Sequence, residues 1–86
     1  MYQVELTPEA QSDIRRLDTS IQVRVLNKLE WLGTNADTVR HQSLQGDAWT
    51  GLYKYRLGDY RIIYQVEHEL RTVRVLKVGH RRDVYK

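Results

Sequence analysis

Residues 51–78 read GLYKYRLGDYRIIYQVEHELRTVRVLKV, and this stretch decides the fold. Three runs within it, at residues 51–57, 60–67 and 70–78, are rich in Tyr, Val and Ile, which is the composition of β-strands. Short polar turns around Asp59 and His68 separate them. Because connections this short join antiparallel neighbours, the sequence predicts a three-stranded antiparallel meander.

A strand and a first helix are predicted before the meander. Residues 2–6 alternate apolar and polar side chains, as a short strand does. Thr7 has the features of an N-cap, because Pro8 occupies the first helical position and Glu9 follows in the first turn. This helix is expected to end near Asp18.

A second helix is predicted from Asp18 or Thr19 to about Leu32, with Gly33 as its stop. Apolar side chains recur along it at helical spacing, at Ile21, Val25, Leu29 and Leu32. The periodicity then vanishes over residues 34–49, which favours a loop with at most one helical turn.

These elements predict the α+β class and one domain spanning residues 1–86. The helices form a hairpin and pack on one face of a four-stranded sheet, because both layers have an apolar face to bury. At this length a single two-layer core is the realistic limit. The other face of the sheet is expected to stay open.

Positive charge is concentrated in the predicted meander and the residues after it. Residues 50–86 hold nine of the fourteen Lys and Arg residues but only four of the eleven carboxylates. Strand alternation places Lys54 and Arg56 on one face, and Arg61 can join them. Cations interleaved with tyrosines suit phosphates and unpaired bases, which favours RNA. The competing interpretation is a solvated face that blocks edge aggregation.

Composition excludes several classes of site. Without Cys there is no disulfide, thiolate metal site or Cys nucleophile. The histidines and carboxylates are scattered, so neither a metal nor another cofactor is expected. The apolar runs are too short for a membrane span and no secretory signal is recognisable, which leads us to expect a cytoplasmic protein.

The sequence resembles the RelE family of the RelE/ParE toxin superfamily over essentially the whole chain, most specifically in its C-terminal half. The resemblance is carried by Lys54 and Arg56, by GDYRIIY at residues 58–64, and by VLKVGHRRDVY at residues 75–85. It implies a type II toxin that enters the ribosomal A site and cleaves mRNA. It also implies an acidic, RelB-like antitoxin that wraps the toxin, so a toxin–antitoxin hetero-oligomer is expected.

The resemblance also implies site residues. Lys54, Arg61, Arg81 and Tyr85 match family positions implicated in catalysis, while Arg56 and Arg82 are expected to contact RNA phosphates. A guanidinium stays charged and binds phosphate oxygens in a fixed fork, so we assign Arg61 and Arg81 to the scissile phosphate. Tyr85 is expected to stack on a base or to orient the substrate.

The proton acceptor stays open between Lys54 and His80. A lysine can serve as a base only if its pKa is lowered, whereas histidines titrate near neutrality. Leu52 occupies a position where certain family members carry a second lysine, and the missing cation raises His80 as an alternative general base or acid. Two other functions stay open as well: a ParE-like DNA gyrase inhibitor and a non-catalytic RNA-binding or regulatory module.

Overall fold

The computed structural model describes residues 1–85 and confirms the α+β class. Lys86, the last residue of the predicted domain, lies outside the described residues. The elements in chain order are β1 (Gln3–Leu6), α1 (Pro8–Arg15), α2 (Thr19–Asn35), β2 (Gln42–Ser43), a 3₁₀ turn (Asp47–Trp49), β3 (Tyr53–Leu57), β4 (Tyr60–Glu67) and β5 (Thr72–His80).

The strands form one mixed sheet in the order β1-β5-β4-β3-β2. The predicted meander β3-β4-β5 is confirmed as antiparallel, although β5 lies two residues later in the chain than expected. β1 pairs parallel to β5. The predicted number of four strands is wrong by one, because the presumed loop contains β2, which has only two residues and leaves no pattern in the sequence.

Helix α1 is fastened to the edge of β5. As predicted, Thr7 caps the helix: its Oγ1 accepts the Ala10 N–H at 3.1 Å, and it also donates to Leu76 O at 3.1 Å. One turn later, the Asp13 carboxylate accepts the Val78 N–H at 3.0 Å. Since β1 pairs with β5 only as far as Val75, α1 supplies partners for the edge beyond that point.

Helix α2 continues past Gly33, so the predicted stop is wrong. A Cβ at Gly33 would lie 2.9 Å from both Tyr2 O and Val4 Cγ2. The glycine therefore serves a close approach of the helix to β1, where the Tyr2 N–H donates to Gly33 O at 2.8 Å. The predicted apolar stripe is confirmed, because Val25, Leu29 and Leu32 are all buried.

An irregularity in the pairing of β4 with β5 sets which side chains of β5 face the helices. Ile63 pairs with Lys77 but the next residue, Tyr64, pairs with Val75, so Leu76 is an extra residue on β5. This insertion lets Val73, Val75 and Val78 all join the core beneath the helices. Gly79 consequently faces the opposite side, whereas the side chain of Lys77, at the edge of β5, reaches α1, with its Nζ 3.7 Å from Glu9 Oε1.

The face away from the helices is only partly open. Ile63 lies on that face, opposite Lys54 and Lys77 in register, yet it is almost fully buried. Val84 is also buried, and its Cβ lies 3.8 Å from the position of a Cβ on Gly79. The last described residues therefore fold back over this side of the sheet.

Candidate active site

The strand register brings three of the predicted cations to one face of the sheet. Arg56 lies directly opposite Arg61, and Lys54 lies opposite Ile63. The intervening residues, including Tyr53, Tyr55, Ile62 and Tyr64, pack on the helix side. We call the side that carries Lys54, Arg56 and Arg61 the cationic face.

Arg61 is held in one orientation. Arg61 is only 8% exposed, and its Nη1 donates to Gly58 O at 2.7 Å and to Tyr60 O at 2.8 Å. Both acceptors belong to the β3–β4 turn, where Gly58 has a φ of +60° at the first turn position, as a type II′ turn requires. Carbonyl oxygens orient a guanidinium without cancelling its charge. Arg61 is therefore a fixed positive charge beneath this turn.

Arg81 reaches the same turn from the end of β5. Its backbone N–H donates to Asp59 O at 2.8 Å, and its Nε lies 4.0 Å from Asp59 Oδ1. The two side chains are 55% and 69% exposed, and an ion pair that long and that solvated contributes little. Arg81 is therefore accessible to an incoming anion close to the anchored Arg61.

Lys54 and Arg56 extend the positive charge toward the β2 edge. Together with Arg40 and Gln42 they border a cavity of about 260 Å³. Among residues 1–85, no carboxylate lies within ion-pair distance of Lys54 or Arg56. No carboxylate of the described residues thus compensates these two charges.

Tyr85 lies beside the 3₁₀ turn. Its ring meets that of Trp49 edge to face, with centroids 6.2 Å apart, and the residue is 39% exposed. Such a contact fixes one edge of the ring and leaves the rest accessible. Arg82, the other predicted phosphate contact, is also exposed.

His80 does not belong to the cationic face. It pairs with Tyr60, and their rings meet edge to face with centroids 5.6 Å apart. It borders a cavity of about 510 Å³ with Asp13 of α1 and Asp83. Because residues on neighbouring strands alternate together, His80 points to the helix side while Gly79 faces Arg61.

The position of Leu52 supplies no further cation. Leu52 is half-buried, its N–H donates to Trp49 O, and its carbonyl accepts the Leu44 N–H. Within residues 1–85, no group of three His, Cys or carboxylate side chains is arranged to hold a metal ion. Nor is any helix there long and apolar enough to cross a bilayer.

Sequence reasoning missed a buried polar network under β3 and β4. The His41 Nε2–H donates to Ala36 O at 2.8 Å, and the Nδ1 of the same ring is hydrogen-bonded to the Tyr64 hydroxyl at 2.6 Å. Burial, followed by the charges of the neighbouring Tyr53 and Tyr55 phenols, raises the pKa of Tyr64. A single histidine between a loop and a strand has no periodic signal that could have revealed this network.

Comparison with known proteins gives a consistent family. A family model described as the ParE toxin of type II toxin–antitoxin systems, parDE, matches residues 4–85. Toxin RelG of Mycobacterium tuberculosis is 28% identical over 85 residues, which cover 99% of this chain and 97% of that protein.

Similar solved structures are also toxins of this kind. A chain in the crystal structure of the RelBE2 toxin–antitoxin complex of M. tuberculosis has a TM-score of 0.81 and 29% identity, covering 92% of this chain and 96% of that one. The isolated RelE toxin of E. coli has a TM-score of 0.77 and 26% identity, covering 93% and 84%. With the family match over nearly the whole length, these likenesses identify the chain as a type II toxin of the RelE/ParE superfamily.

Proposed function

We propose that this toxin is a metal-independent endoribonuclease that cleaves mRNA in the ribosomal A site and thereby inhibits translation. The observation that carries the proposal is the convergence of Arg61 and Arg81 on the β3–β4 turn. One guanidinium is anchored by two carbonyls and the other is exposed. Two cations that converge on one turn suit a phosphate whose charge grows during the reaction.

The proposed reaction needs a base, a group that stabilises negative charge and a source of protons at the scissile bond. The 2′-oxygen gives its proton to the base and bonds to phosphorus, the bond to the 5′-oxygen breaks, and that oxygen takes a proton from solvent water. Arg61 and Arg81 stabilise the phosphorane oxygens, since preorganised donors act most strongly where charge develops. Neither arginine exchanges protons, because a guanidinium stays charged at any working pH.

Lys54 is the base in this scheme. It lies on the same face as Arg61, two residues from Arg56, whereas His80 points to the helix side. An amine accepts a proton only in its neutral form, so cleavage should rise with pH. Arg56 and Arg82 contact flanking phosphates, and Tyr85 stacks on a base beside the cut.

The ribosome supplies what this surface lacks. The cationic face offers charges and one accessible tyrosine ring, a combination that binds RNA without reading its sequence. We therefore propose that the ribosome presents and bends the mRNA, which places the action of the toxin in the cytoplasm. Purified toxin should cut free RNA poorly.

The proposed partner is an acidic antitoxin of the RelB kind. Relatives of this fold occur in RelB–RelE complexes from M. tuberculosis and Pyrococcus horikoshii. This chain has a sequence pI near 9.4, and it exposes Val23, Leu26 and Trp31 on α2. A partner with acidic and apolar side chains suits both features. We expect the pair to form a hetero-oligomer that keeps the toxin inactive.

Gyrase inhibition is the second candidate, favoured by the ParE family match. Mapping transcript 5′ ends after induction separates the two functions. Endoribonuclease activity predicts new ends inside translated codons, which are absent in the Arg61→Ala/Arg81→Ala double variant. Intact transcripts together with inhibited supercoiling by purified gyrase would instead support the ParE-like function.

A further inference from the structure

The chain after β5 forms a compact turn, residues 81–85, here called the C-terminal turn. Four consecutive N–H groups in it are all hydrogen-bonded. Arg81 donates to Asp59 O, while Asp83 and Val84 donate to His80 O at 2.8 and 3.0 Å. The fourth, the Arg82 N–H, donates to the His80 side chain at Nδ1, at 3.2 Å. Three of the four bonds thus end on His80.

The bond from Arg82 to Nδ1 requires that this ring nitrogen accept. A nitrogen that accepts a hydrogen bond carries no proton, so the ring is neutral with its hydrogen on Nε2. A side-chain acceptor that binds the N–H two residues later is the arrangement of an Asx turn, in which Asn or Asp plays this part. An imidazolium has a proton on Nδ1 and would oppose the Arg82 N–H.

Charged groups of both signs surround the ring. Glu9 and Asp13 of α1 and Arg16 just after it border the same cavity, and Lys77 of β5 and Asp83 complete the charged part of its wall. Tyr60 of β4 contacts the ring by its edge. The Arg82 N–H is the one group within residues 1–85 with a hydrogen bond to the ring.

We propose that His80 is a positioning residue that organises the C-terminal turn through its neutral Nδ1. The inference rests on the proposed function in one respect, because the turn carries Arg81, Arg82 and Tyr85. His80 transfers no proton to or from RNA in this scheme. Protonation of the ring releases the Arg82 N–H and loosens the turn, so cleavage and turn order fall together as the pH drops.

The test compares His80→Ala with His80→Asn. Asparagine restores an acceptor for the Arg82 N–H but cannot exchange protons with RNA. We expect single-turnover cleavage of ribosome-bound mRNA to fall about fivefold in His80→Ala, the effect of one lost hydrogen bond, and to return nearly to the parent rate in His80→Asn. Both proteins share the pH dependence of the base, so the ratio of the His80→Asn rate to the parent rate should rise about fivefold between pH 7.5 and 5.5.

A second set of measurements follows the order of the C-terminal turn in the absence of RNA. In a Trp31→Phe background, the fluorescence of Trp49 senses the Tyr85 ring that contacts it. Hydrogen exchange at residues 82–84 reports the same bonds. Both signals should change in His80→Ala and, for the parent, at low pH. His68→Ala is the matched control, because His68 is hydrogen-bonded to Tyr2 and takes no part in the C-terminal turn.

Two results would overturn the inference. One is a His80→Asn protein with a native turn that cleaves as poorly as His80→Ala, since the imidazole itself would then be required. The other is a His80→Ala protein with unchanged fluorescence and exchange. If the parent cleaves no RNA at all, the proposed function fails, while the turn measurements still decide the role of His80.

Discussion

Arg61 and Arg81 approach the same turn from different environments, and this difference separates their contributions. Arg61 is buried and satisfies two turn carbonyls, so it contributes to folding as well as to the proposed site. Arg81 is exposed, and within residues 1–85 its side chain makes one long, solvated ion pair. Substitutions at the two positions should therefore differ in stability even where they agree in activity.

We expect Arg61→Ala and Arg81→Ala each to slow single-turnover cleavage of ribosome-bound mRNA about a hundredfold, or about 3 kcal/mol of transition-state stabilisation. In urea, the free energy of unfolding of Arg61→Ala should also be about 1 to 3 kcal/mol lower than that of the parent. That of Arg81→Ala should differ from the parent by less than about 0.5 kcal/mol. Arg15→Ala, on the exposed surface of α1, is the control. Undiminished cleavage by either variant removes that arginine from the mechanism.

The buried polar network under β3 and β4 predicts that the protein loses stability at alkaline pH. Because burial raises the pKa of Tyr64 in the folded state, the unfolded chain gives up this proton first. Above pH 10.0, the ordinary tyrosine value, the free energy of unfolding should therefore fall. Tyr64→Phe should lack this fall of stability in alkali. At neutral pH its free energy of unfolding should be about 1 kcal/mol lower than that of the parent, because His41 loses a hydrogen-bond partner.

Urea unfolding between pH 7 and 11 measures both effects. The matched control is Tyr2→Phe, which removes the hydroxyl of the other tyrosine–histidine pair, an exposed one. Equal pH dependence in Tyr64→Phe and the parent would contradict the prediction.

The cations of β3 and β4 could be placed from sequence because side-chain alternation has a period of two. His80 could not. Strict alternation from Val73 and Val75 would put His80 on the cationic face, but the extra residue at Leu76 reverses the phase of the strand. No residue type marks that insertion, so its effect on His80 was invisible before the pairing was known.

At the scale of elements, α1 covers the edge of β5 beyond its pairing with β1. Helix α1 is short, and its attachment depends on two side chains, Thr7 and Asp13, that bond the edge of β5. The capping signal at Thr7 was readable from sequence. The role of Asp13 was not, because its partner lies 65 residues away.

We expect Asp13→Ala to lower the free energy of unfolding by about 1 to 3 kcal/mol, because the Val78 N–H loses its acceptor. Asp13→Asn keeps an acceptor oxygen and should lose less than half as much. Asp18→Ala is a suitable control, since the Asp18 side chain makes no capping bond at the start of α2. Equal stability of Asp13→Ala and the parent in urea would show that water replaces the carboxylate.

Two other elements show why sequence alone was insufficient. Gly33 resembles a helix stop, but its missing side chain serves the contact with β1, a tertiary constraint that outweighs the local preference. β2 pairs through two residues only, too few for any alternation to be recognised. Both features depend on neighbours that are distant in sequence.

Across the whole molecule, the proposed antitoxin and the proposed substrate use different surfaces. The cationic face lies away from the helices. An apolar groove of about 510 Å³ instead runs between β1 and α2, bordered by Tyr2, Val4, Leu26 and Leu29 among others. Substitutions in the groove should therefore separate neutralisation from toxicity.

Leu26→Asp should weaken antitoxin binding at least about tenfold, because a carboxylate enters an apolar contact and repels an acidic partner. The side chain is 48% exposed, so the fold should tolerate the change. Titration calorimetry measures binding, and growth during coexpression measures neutralisation. Leu70→Asp, an exposed apolar residue in the β4–β5 turn, is the control. Equal binding by both variants would show that the antitoxin does not use this groove.

The pairing of β1 with β5 has a consequence for biosynthesis. These strands lie side by side although 69 positions separate partners such as Gln3 and Thr72. Contacts so distant in sequence form slowly and only after both strands are available. A nascent chain therefore cannot complete its sheet, or bring Arg81 beside Arg61, until β5 has left the exit tunnel. Under the proposed function, the toxin cannot act on the ribosome that makes it before β5 is free to pair with β1.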